Sequence, residues 1–125
     1  MGGEMDADLA NELIESSSAS TVISACGGYN LGQSASIVKQ SKRLITNDTG
    51  MMHIATCFGV QIDSVWGNTV PDLGMYPYYP NSKEKFSIHE VKGLKCRPCS
   101  KIGFQDCPKQ HFDCMKKQNV DEIVG

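Results

Sequence analysis

The segment from Arg43 to Trp66 constrains the fold of this chain more than any other part of the sequence. RLIT at residues 43–46 is a short apolar run typical of a strand, and IDSVW at residues 62–66 is a second one. Between them, residues 49–58 have the spacing of a helix, and Gly59 is a typical helix-ending residue. This order predicts a parallel α/β sheet, because a helix between two strands returns the chain to the same end of the sheet.

The flanking segments extend this alternation. Two further helices are predicted at residues 6–15 and 31–41, a short buried strand at 21–26, and an edge strand at 86–91. Residues 67–81 are rich in Gly, Pro and Tyr and lack periodicity, which predicts a long loop. Asn119 is the predicted N-cap of a helix that starts with VDEIV.

The composition narrows the class of protein and of ligand. With 125 residues, 40% of them apolar and 21% charged, the chain has the size and composition of one globular domain. Its formal net charge is −2 and it has no dominant basic run, which argues against nucleic acid as the main ligand. No apolar stretch is long enough to span a bilayer, and the acidic N-terminus lacks the signal-peptide pattern. We therefore expect a cytoplasmic chain that is not transmembrane.

Asp48, Thr49 and Gly50 follow the first strand of this unit, and His53 lies one helical turn further on. Ligands of parallel sheets bind beyond the carboxyl ends of the strands, where a helix start directs N–H groups and the positive end of its dipole. Gly50 would allow close approach of the backbone, so the pattern favours a phosphate or diphosphate. Asp48 would repel a phosphate, and we expect it to orient the loop or cap the helix. Alternatively, Asp48 or Thr49 is only an N-cap and His53 a surface residue.

The longer segment NDTGMMHIATCFGVQIDSVWGNTVPDLGMYPYYP resembles the nucleotide-sugar-binding half of the heptosyltransferase-like enzymes of glycosyltransferase family 9. The family pattern D-[ST]-G-x-x-H-x-A is matched by Asp48, Thr49, Gly50, His53 and Ala55. A following Gly-x-Thr-x-Pro loop is matched by Gly67, Thr69 and Pro71. CRPCSKIGFQDCPKQHFDCM and the later VDEIV are similar to the family's tail.

The resemblance implies a bacterial GT-B enzyme of lipopolysaccharide biosynthesis, with a Rossmann-like C-terminal domain. Its expected partners are an ADP-heptose-like donor and a lipid-linked saccharide acceptor, and no cofactor is expected to be required for catalysis. Its expected location is the cytoplasm, including the inner face of the bacterial inner membrane. The residues implied to contact the diphosphate and sugar are Asp48, Thr49, Gly50, Met51 and His53. Weaker matches imply that Asp6 binds the ribose and Tyr29 the adenine; the alternatives are a helix N-terminal acid and an exposed turn aromatic.

Parts of the family pattern have no match here. The family's catalytic base lies in an N-terminal domain, and the first strands of the nucleotide domain, with their phosphate-contacting basic residue, are also unmatched. We therefore expect a fragment, with residues 1–92 forming an incomplete nucleotide-sugar domain and residues 93–125 a Cys-rich loop and the start of a helix. Such a fragment should self-associate or be marginally stable, bind ADP at about millimolar strength at best, and transfer no sugar.

Asp63 is a departure inside a predicted buried strand, where the family usually has an apolar residue. An unpaired carboxylate there would be costly. Either this strand lies at an edge, or the sequence has drifted, or Asp63 has a partner that the sequence does not identify. The family also usually has proline where this chain has Gln61.

The cysteines allow several structures. Their spacing suggests a tetrahedral zinc site formed by Cys96, Cys99, Cys107 and Cys114, with His111 as a possible substitute ligand. Reduced thiols that pack a loop, or disulfides, are the alternatives. Cys26 and Cys57 are predicted to be small buried core residues.

Two other functions compete with a glycosyltransferase donor domain. The first is another nucleotide-binding enzyme of the Rossmann type, although GGYNLG does not have the spacing of G-x-G-x-x-G. The second is an interaction module that is stabilised by a structural zinc ion and has no catalytic activity. The genomic sequence upstream of Met1 would distinguish the glycosyltransferase from the interaction module. A preceding Rossmann half favours the glycosyltransferase, and a natural start at Met1 favours the module.

Overall fold

The computed structural model describes residues 1–18, 20–79 and 85–125, which divide into two compact units, Met1–Ile37 and Val38–Gly125. Its helices and strands, in chain order, are α1 (Ala7–Ser16), α2 (Leu31–Gln40), β1 (Arg43–Thr46), α3 (Gly50–Phe58), β2 (Gln61–Trp66), β3 (Phe86–Glu90), α4 (Asp113–Lys116) and α5 (Val120–Val124). Short 3-10 turns occupy Glu4–Asp6 and Pro71–Leu73. Within the described residues, no helix has both the length and the apolar character needed to cross a membrane.

The predicted strand at residues 21–26 in the first unit is wrong. A strand needs a neighbouring backbone to pair with, and among the described residues only an isolated parallel bridge, between Cys26 and Gly2, involves this segment. The β-branched side chains are not buried, since Val22 is 46% and Ile23 is 86% exposed. The predicted helices do form as α1 and α2, with bounds within a residue of those expected.

A three-stranded parallel sheet organises the second unit, in the order β1-β2-β3. The predicted parallel α/β class is confirmed, and β1 has the predicted bounds. β3 forms an edge of this sheet, as the alternating pattern predicted. The predicted loop covered residues 67–81. Within its described part, 67–79, only Pro71–Leu73 is regular, and residues 80 and 81 lie outside the described residues.

The core of the second unit lies on the central strand β2. Every residue of β2 after Gln61 is buried, and α3 covers the strand with Met52 and Ala55. The buried cluster comprises Val38, Met52, Ala55, Val60, Ile62 and Trp66. Burying a large apolar side chain of this kind stabilises a fold by roughly 1.5–3 kcal/mol, so this cluster fixes α3 against the sheet.

Asp63 lies in the central strand and is paired, which answers the question that the sequence left open. Its side chain is 4% exposed and accepts hydrogen bonds from Arg43 Nε at 2.6 Å and from His89 Nε2 at 2.8 Å. The register explains the pairing, because Arg43 lies on β1 and His89 on β3, the two neighbours of β2. The Arg43 hydrogen bond lowers the pKa of the Asp63 carboxyl, and the His89 ring contributes in the same direction.

The prediction that Cys26 and Cys57 are buried core residues is also wrong. Cys57 is exposed on α3, and Cys26 is half-buried and lies outside any regular strand. A sequence pattern places a cysteine on a helix, but the packing of that helix decides which face meets the core. At the end of the chain, α5 begins after Asn119 as predicted, although the Asn119 side chain makes no capping hydrogen bond.

Candidate functional site

The start of α3 lies directly beyond the carboxyl end of β1. The strand ends at Thr46, Thr49 is the N-cap residue with an extended backbone (φ −142°, ψ 163°), and the helix begins at Gly50, one residue later than predicted. The Thr49 hydroxyl does not cap the helix but lies 3.0 Å from the hydroxyl of Thr46. The first turn of such a helix directs backbone N–H groups and the positive dipole end beyond the edge of the sheet.

The backbone at Gly50 is open to an approaching ligand. Outside its own helix and its chain neighbours, no described heavy atom lies within 4 Å of where a Cβ would be. The neighbouring Met51 is partly buried, and its side chain packs against the core. At the first turn of the helix, Met51 can contribute its backbone N–H to a ligand.

His53 is exposed on the first turn of α3 rather than buried in the core. Its carbonyl oxygen accepts a hydrogen bond from the Thr56 hydroxyl at 2.7 Å, a contact within the helix. The imidazole therefore lies at the surface, one turn from the open backbone of Gly50.

Asp48 connects the loop after β1 to the loop after β2. Its carboxylate accepts a hydrogen bond from the hydroxyl of the buried Thr69 at 3.3 Å. The preceding residue adds a second connection, because Asn47 Nδ2 donates to the carbonyl of Val65 at 3.2 Å. These contacts fit the expected role of Asp48 in orienting the loop, through the side-chain hydroxyl of Thr69.

A cavity of about 350 Å³ opens beside Asp48 in the second unit. The described residues that line it are Asn47, Asp48, Val65, Gly67, Asn68, Thr69, Ile102, Phe104, Gln105, Phe112 and Met115. Of the predicted donor-binding residues, the structure brings Asp48 to this cavity, whereas Thr49, Gly50, Met51 and His53 do not line it. The helix start and the cavity are therefore two neighbouring features, joined through Asp48.

Arg97, between two cysteines, is a structural residue that sequence reasoning missed. Its side chain is 5% exposed, forms an ion pair with Glu90 at 3.2 Å, and donates to the carbonyls of Gly67 at 2.5 Å and Thr69 at 3.0 Å. It thereby holds the loop that carries Thr69 and, through it, Asp48. No local sequence signal identifies this role, because the carbonyls of Gly67 and Thr69 lie about 30 positions earlier in the chain.

The residues predicted to bind the nucleoside lie in the first unit. The Asp6 carboxylate accepts a hydrogen bond from the backbone N–H of Gly3 at 2.8 Å and is exposed. Tyr29 is 48% exposed in the turn that follows Cys26. The Gly2–Cys26 bridge joins the two segments that carry them. Asp6 and Tyr29 stay predictions as nucleoside-binding residues.

The cysteine segment contains thiols with different environments. Burial raises the pKa of Cys99 and of Cys114, and neighbouring thiols add to both shifts, whereas the backbone N–H of Phe112 lowers the pKa of Cys107. Cys96 Sγ lies 3.9 Å from His111 Nε2. In the part of the chain that the structure describes, no three His, Cys, Asp or Glu side chains are arranged to hold a metal ion. Zinc binding by Cys96, Cys99, Cys107 and Cys114 stays a prediction.

A comparison with protein families decides the assignment. Residues 1–103 match the model of glycosyltransferase family 9 (heptosyltransferase). The chain belongs to glycosyltransferase family 9. The family assignment and the resemblance seen in the sequence are thus confirmed over the segment that contains β1, α3, β2 and β3.

Two relatives support this assignment. The chain is 30% identical over 80 residues to lipooligosaccharide heptosyltransferase 2 of Campylobacter jejuni. The aligned segment covers 64% of this chain and 23% of that protein. It also resembles the crystal structure of a family 9 glycosyl transferase from Veillonella parvula, with 29% identity and a TM-score of 0.59 over 70% of this chain and 24% of that one. The chain thus spans about a quarter of the length of the relatives it matches.

Proposed function

We propose that this chain is the donor-binding part of a glycosyltransferase, and that the start of α3 binds the diphosphate of an ADP-heptose-like nucleotide sugar. The observation that carries this proposal is the open backbone at Gly50, at a helix start directly beyond a strand of a parallel sheet. Family 9 membership supplies the reaction class, glycosyl transfer. A heptose donor is supported by the family description and by the name of the Campylobacter relative.

The proposed chemistry needs stabilisation of negative charge on the departing nucleoside diphosphate. Fixed N–H donors at a helix start stabilise such charge without having to reorganise during the reaction. In this arrangement Gly50 and Met51 contribute backbone N–H groups, and Thr49 and His53 contribute side-chain donors. No metal ion is needed for this role if these donors suffice.

Asp48 has a different role in this proposal. A carboxylate repels phosphate, so Asp48 faces the sugar rather than the diphosphate and accepts hydrogen bonds from sugar hydroxyls. Its hydrogen bond from Thr69 fixes its orientation. Asp6 and Tyr29 are proposed as contacts of the ribose and the adenine.

The acceptor is proposed to be a lipid-linked saccharide, as lipooligosaccharide is named for the Campylobacter relative. Transfer itself would use a base that the resemblance assigns to the N-terminal domain of the family. The 125 residues by themselves are therefore proposed to bind donor weakly and to transfer no sugar. A cytoplasmic location, at the inner face of the membrane that holds the acceptor, fits this function.

The test is substitution of Gly50. In Gly50→Val, the branched side chain would fill the open space above the helix start, and we expect ADP affinity to fall at least about tenfold, equivalent to about 1.4 kcal/mol. Gly50→Ala should have a smaller effect. NMR titration resolves dissociation constants in the millimolar range that we expect for this chain.

Cys57→Val is the matched control, since it places the same branched residue on an exposed position of the same helix. It reports what valine does to the stability of α3 away from the proposed site. If Gly50→Val binds ADP as well as the unaltered chain does, the diphosphate does not lie at this helix start and the proposal is wrong.

A further inference from the structure

The cavity beside Asp48 is lined by residues from two parts of the chain, and we call these two groups of lining residues its polar side and its apolar side. The polar side comes from the loops after β1 and β2, with Asn47, Asp48 and Asn68. The apolar side comes from the Cys-rich segment, with Ile102, Phe104, Phe112 and Met115. We propose that Phe104 and Phe112 pack against the apolar face of the donor's sugar ring, and so make the Cys-rich segment part of the sugar subsite. This inference rests on the proposed function.

The charge of the cavity selects the kind of ligand. Among the described residues that line it, the carboxylate of Asp48 is the one charged group, and no lysine or arginine faces it. A phosphate placed in the cavity would therefore meet a like charge without a compensating cation. A neutral polyol suits it better, because its hydroxyls donate to the carboxylate and bond to the amides of Asn47 and Gln105. The diphosphate then lies outside, at the start of α3, and the sugar inside.

The apolar side suits a sugar ring. A pyranose has C–H groups on its faces and hydroxyls around its edge, and the negatively charged face of an aromatic ring attracts such C–H groups. Phe104 is 50% and Phe112 is 40% exposed, so both rings are available to a ligand. A volume of about 350 Å³ falls in the range of small-molecule sites.

The backbone of Phe112 is a second and independent observation. Its φ is +55°, in the left-handed region that bulky residues rarely adopt. Such strained residues concentrate at functional sites, where the position of a side chain matters more than local stability. The conformation is held by the start of α4, because the carbonyl of Phe112 accepts hydrogen bonds from the N–H groups of Met115 and Lys116, both at 3.0 Å.

The apolar side is fixed to the polar side through Asn68. Asn68 Nδ2 donates to the carbonyl of Phe104 at 2.6 Å, and the N–H of Cys99 donates to the carbonyl of Asn68 at 2.8 Å. The Asn68 side chain also lies close to the backbone of Gly103, where an added Cβ would be 2.4 Å from Asn68 Oδ1. Asn68 adjoins Thr69, which bonds Asp48, so these contacts connect the backbone of Phe104 to the carboxylate of Asp48.

The experiment compares ADP with ADP-heptose in NMR titrations of the 125-residue chain and its variants. In Phe104→Ala, we expect affinity for ADP-heptose to fall by about fivefold or more while affinity for ADP changes less than twofold. Phe112→Asn should behave alike, and it keeps the test valid if the alanine variant is unstable, because asparagine tolerates the left-handed backbone better than phenylalanine. Phe58→Ala, an exposed phenylalanine on α3 outside the cavity, is the matched control and should change neither affinity.

The outcomes separate this inference from the function on which it rests. An equal loss of ADP and ADP-heptose affinity, or no loss of either, would overturn the sugar contact while leaving diphosphate binding in place. If the unaltered chain bound neither ligand, both the inference and the proposed function would be wrong. Loss confined to the nucleotide sugar supports the contact between the phenylalanines and the sugar.

Discussion

The carboxylate of Asp63 is a position where even a conservative change should destabilise this protein. It is buried in the central strand, between Arg43 on β1 and His89 on β3, and accepts a hydrogen bond from each at 2.6 Å and 2.8 Å. Arg43 also donates to the carbonyls of Ile123 and Val124, at 2.5 Å and 3.1 Å, so the ion pair connects three strands to α5.

The magnitude follows from burial. Removing one partner of a buried charge pair costs about 3–5 kcal/mol, because the other charge loses its compensation. Arg43 is 33% exposed and retains its two carbonyl acceptors, which places the cost for Asp63→Ala near the lower limit. We expect a loss of about 3 kcal/mol for Asp63→Ala, and about 2 kcal/mol for Asp63→Asn, because the uncharged amide oxygen of asparagine can still accept a hydrogen bond from Arg43.

The dependence on pH has a definite sign. The pKa of Asp63 is lowered in the folded chain, first by the Arg43 hydrogen bond, so the folded state binds the carboxyl proton less readily than the unfolded state. The resulting stabilisation is complete above the unfolded pKa, roughly 4, and is lost as the pH falls through the lower folded pKa. In Asp63→Asn, the free energy of unfolding should therefore fall less steeply as the pH is lowered. Part of the fall should remain, because the pKa of Asp113 is also lowered in the folded chain.

Urea unfolding followed by circular dichroism, at neutral pH and in steps toward pH 3, measures both effects. Asp72→Asn, which removes an exposed carboxylate from a 3-10 turn, is the matched control. If Asp63→Asn lowered the free energy of unfolding by less than about 0.5 kcal/mol, or left the acid slope unchanged, the buried pair would not stabilise the sheet in the way described.

Three further changes test other parts of the structure. Arg97→Ala, which leaves Glu90 uncompensated, should cost about 3 kcal/mol in urea unfolding, and Arg97→Lys should recover part of it; equal stability of all three chains would contradict the contacts described. Gly103→Ala should cost about 1–2 kcal/mol, because φ is +79° and the new Cβ meets Asn68; an unchanged unfolding midpoint would argue against this backbone. If zinc binds the four thiols, competition with a chromogenic chelator should give one zinc ion per chain and none in Cys99→Ser; no uptake by the unaltered chain would exclude the metal.

The sequence by itself determined the order and type of the central elements. The apolar runs of β1 and β2, the spacing of α3 and the helix-ending Gly59 are local signals, and Gly59 does adopt the left-handed conformation (φ +66°) that favours glycine. The D-T-G-x-x-H pattern likewise identified the family, because it depends on residue types at fixed separations along one segment. Such signals act over one or two turns of chain, so they can be recognised without knowing what packs around them.

Only the tertiary structure decided which residues have partners. Asp63 is paired by side chains 20 and 26 positions away, and the strand register brings them together, so no local pattern could identify them. The run at residues 21–26 has the composition of a strand, but apart from the bridge to Gly2 no described backbone pairs with it. Phe104 and Phe112 reach the cavity through the contacts of Asn68 and the backbone of α4. Burial, ion pairing and cavity lining are properties of distant segments in contact, and the chain acquires them only when those segments pack together.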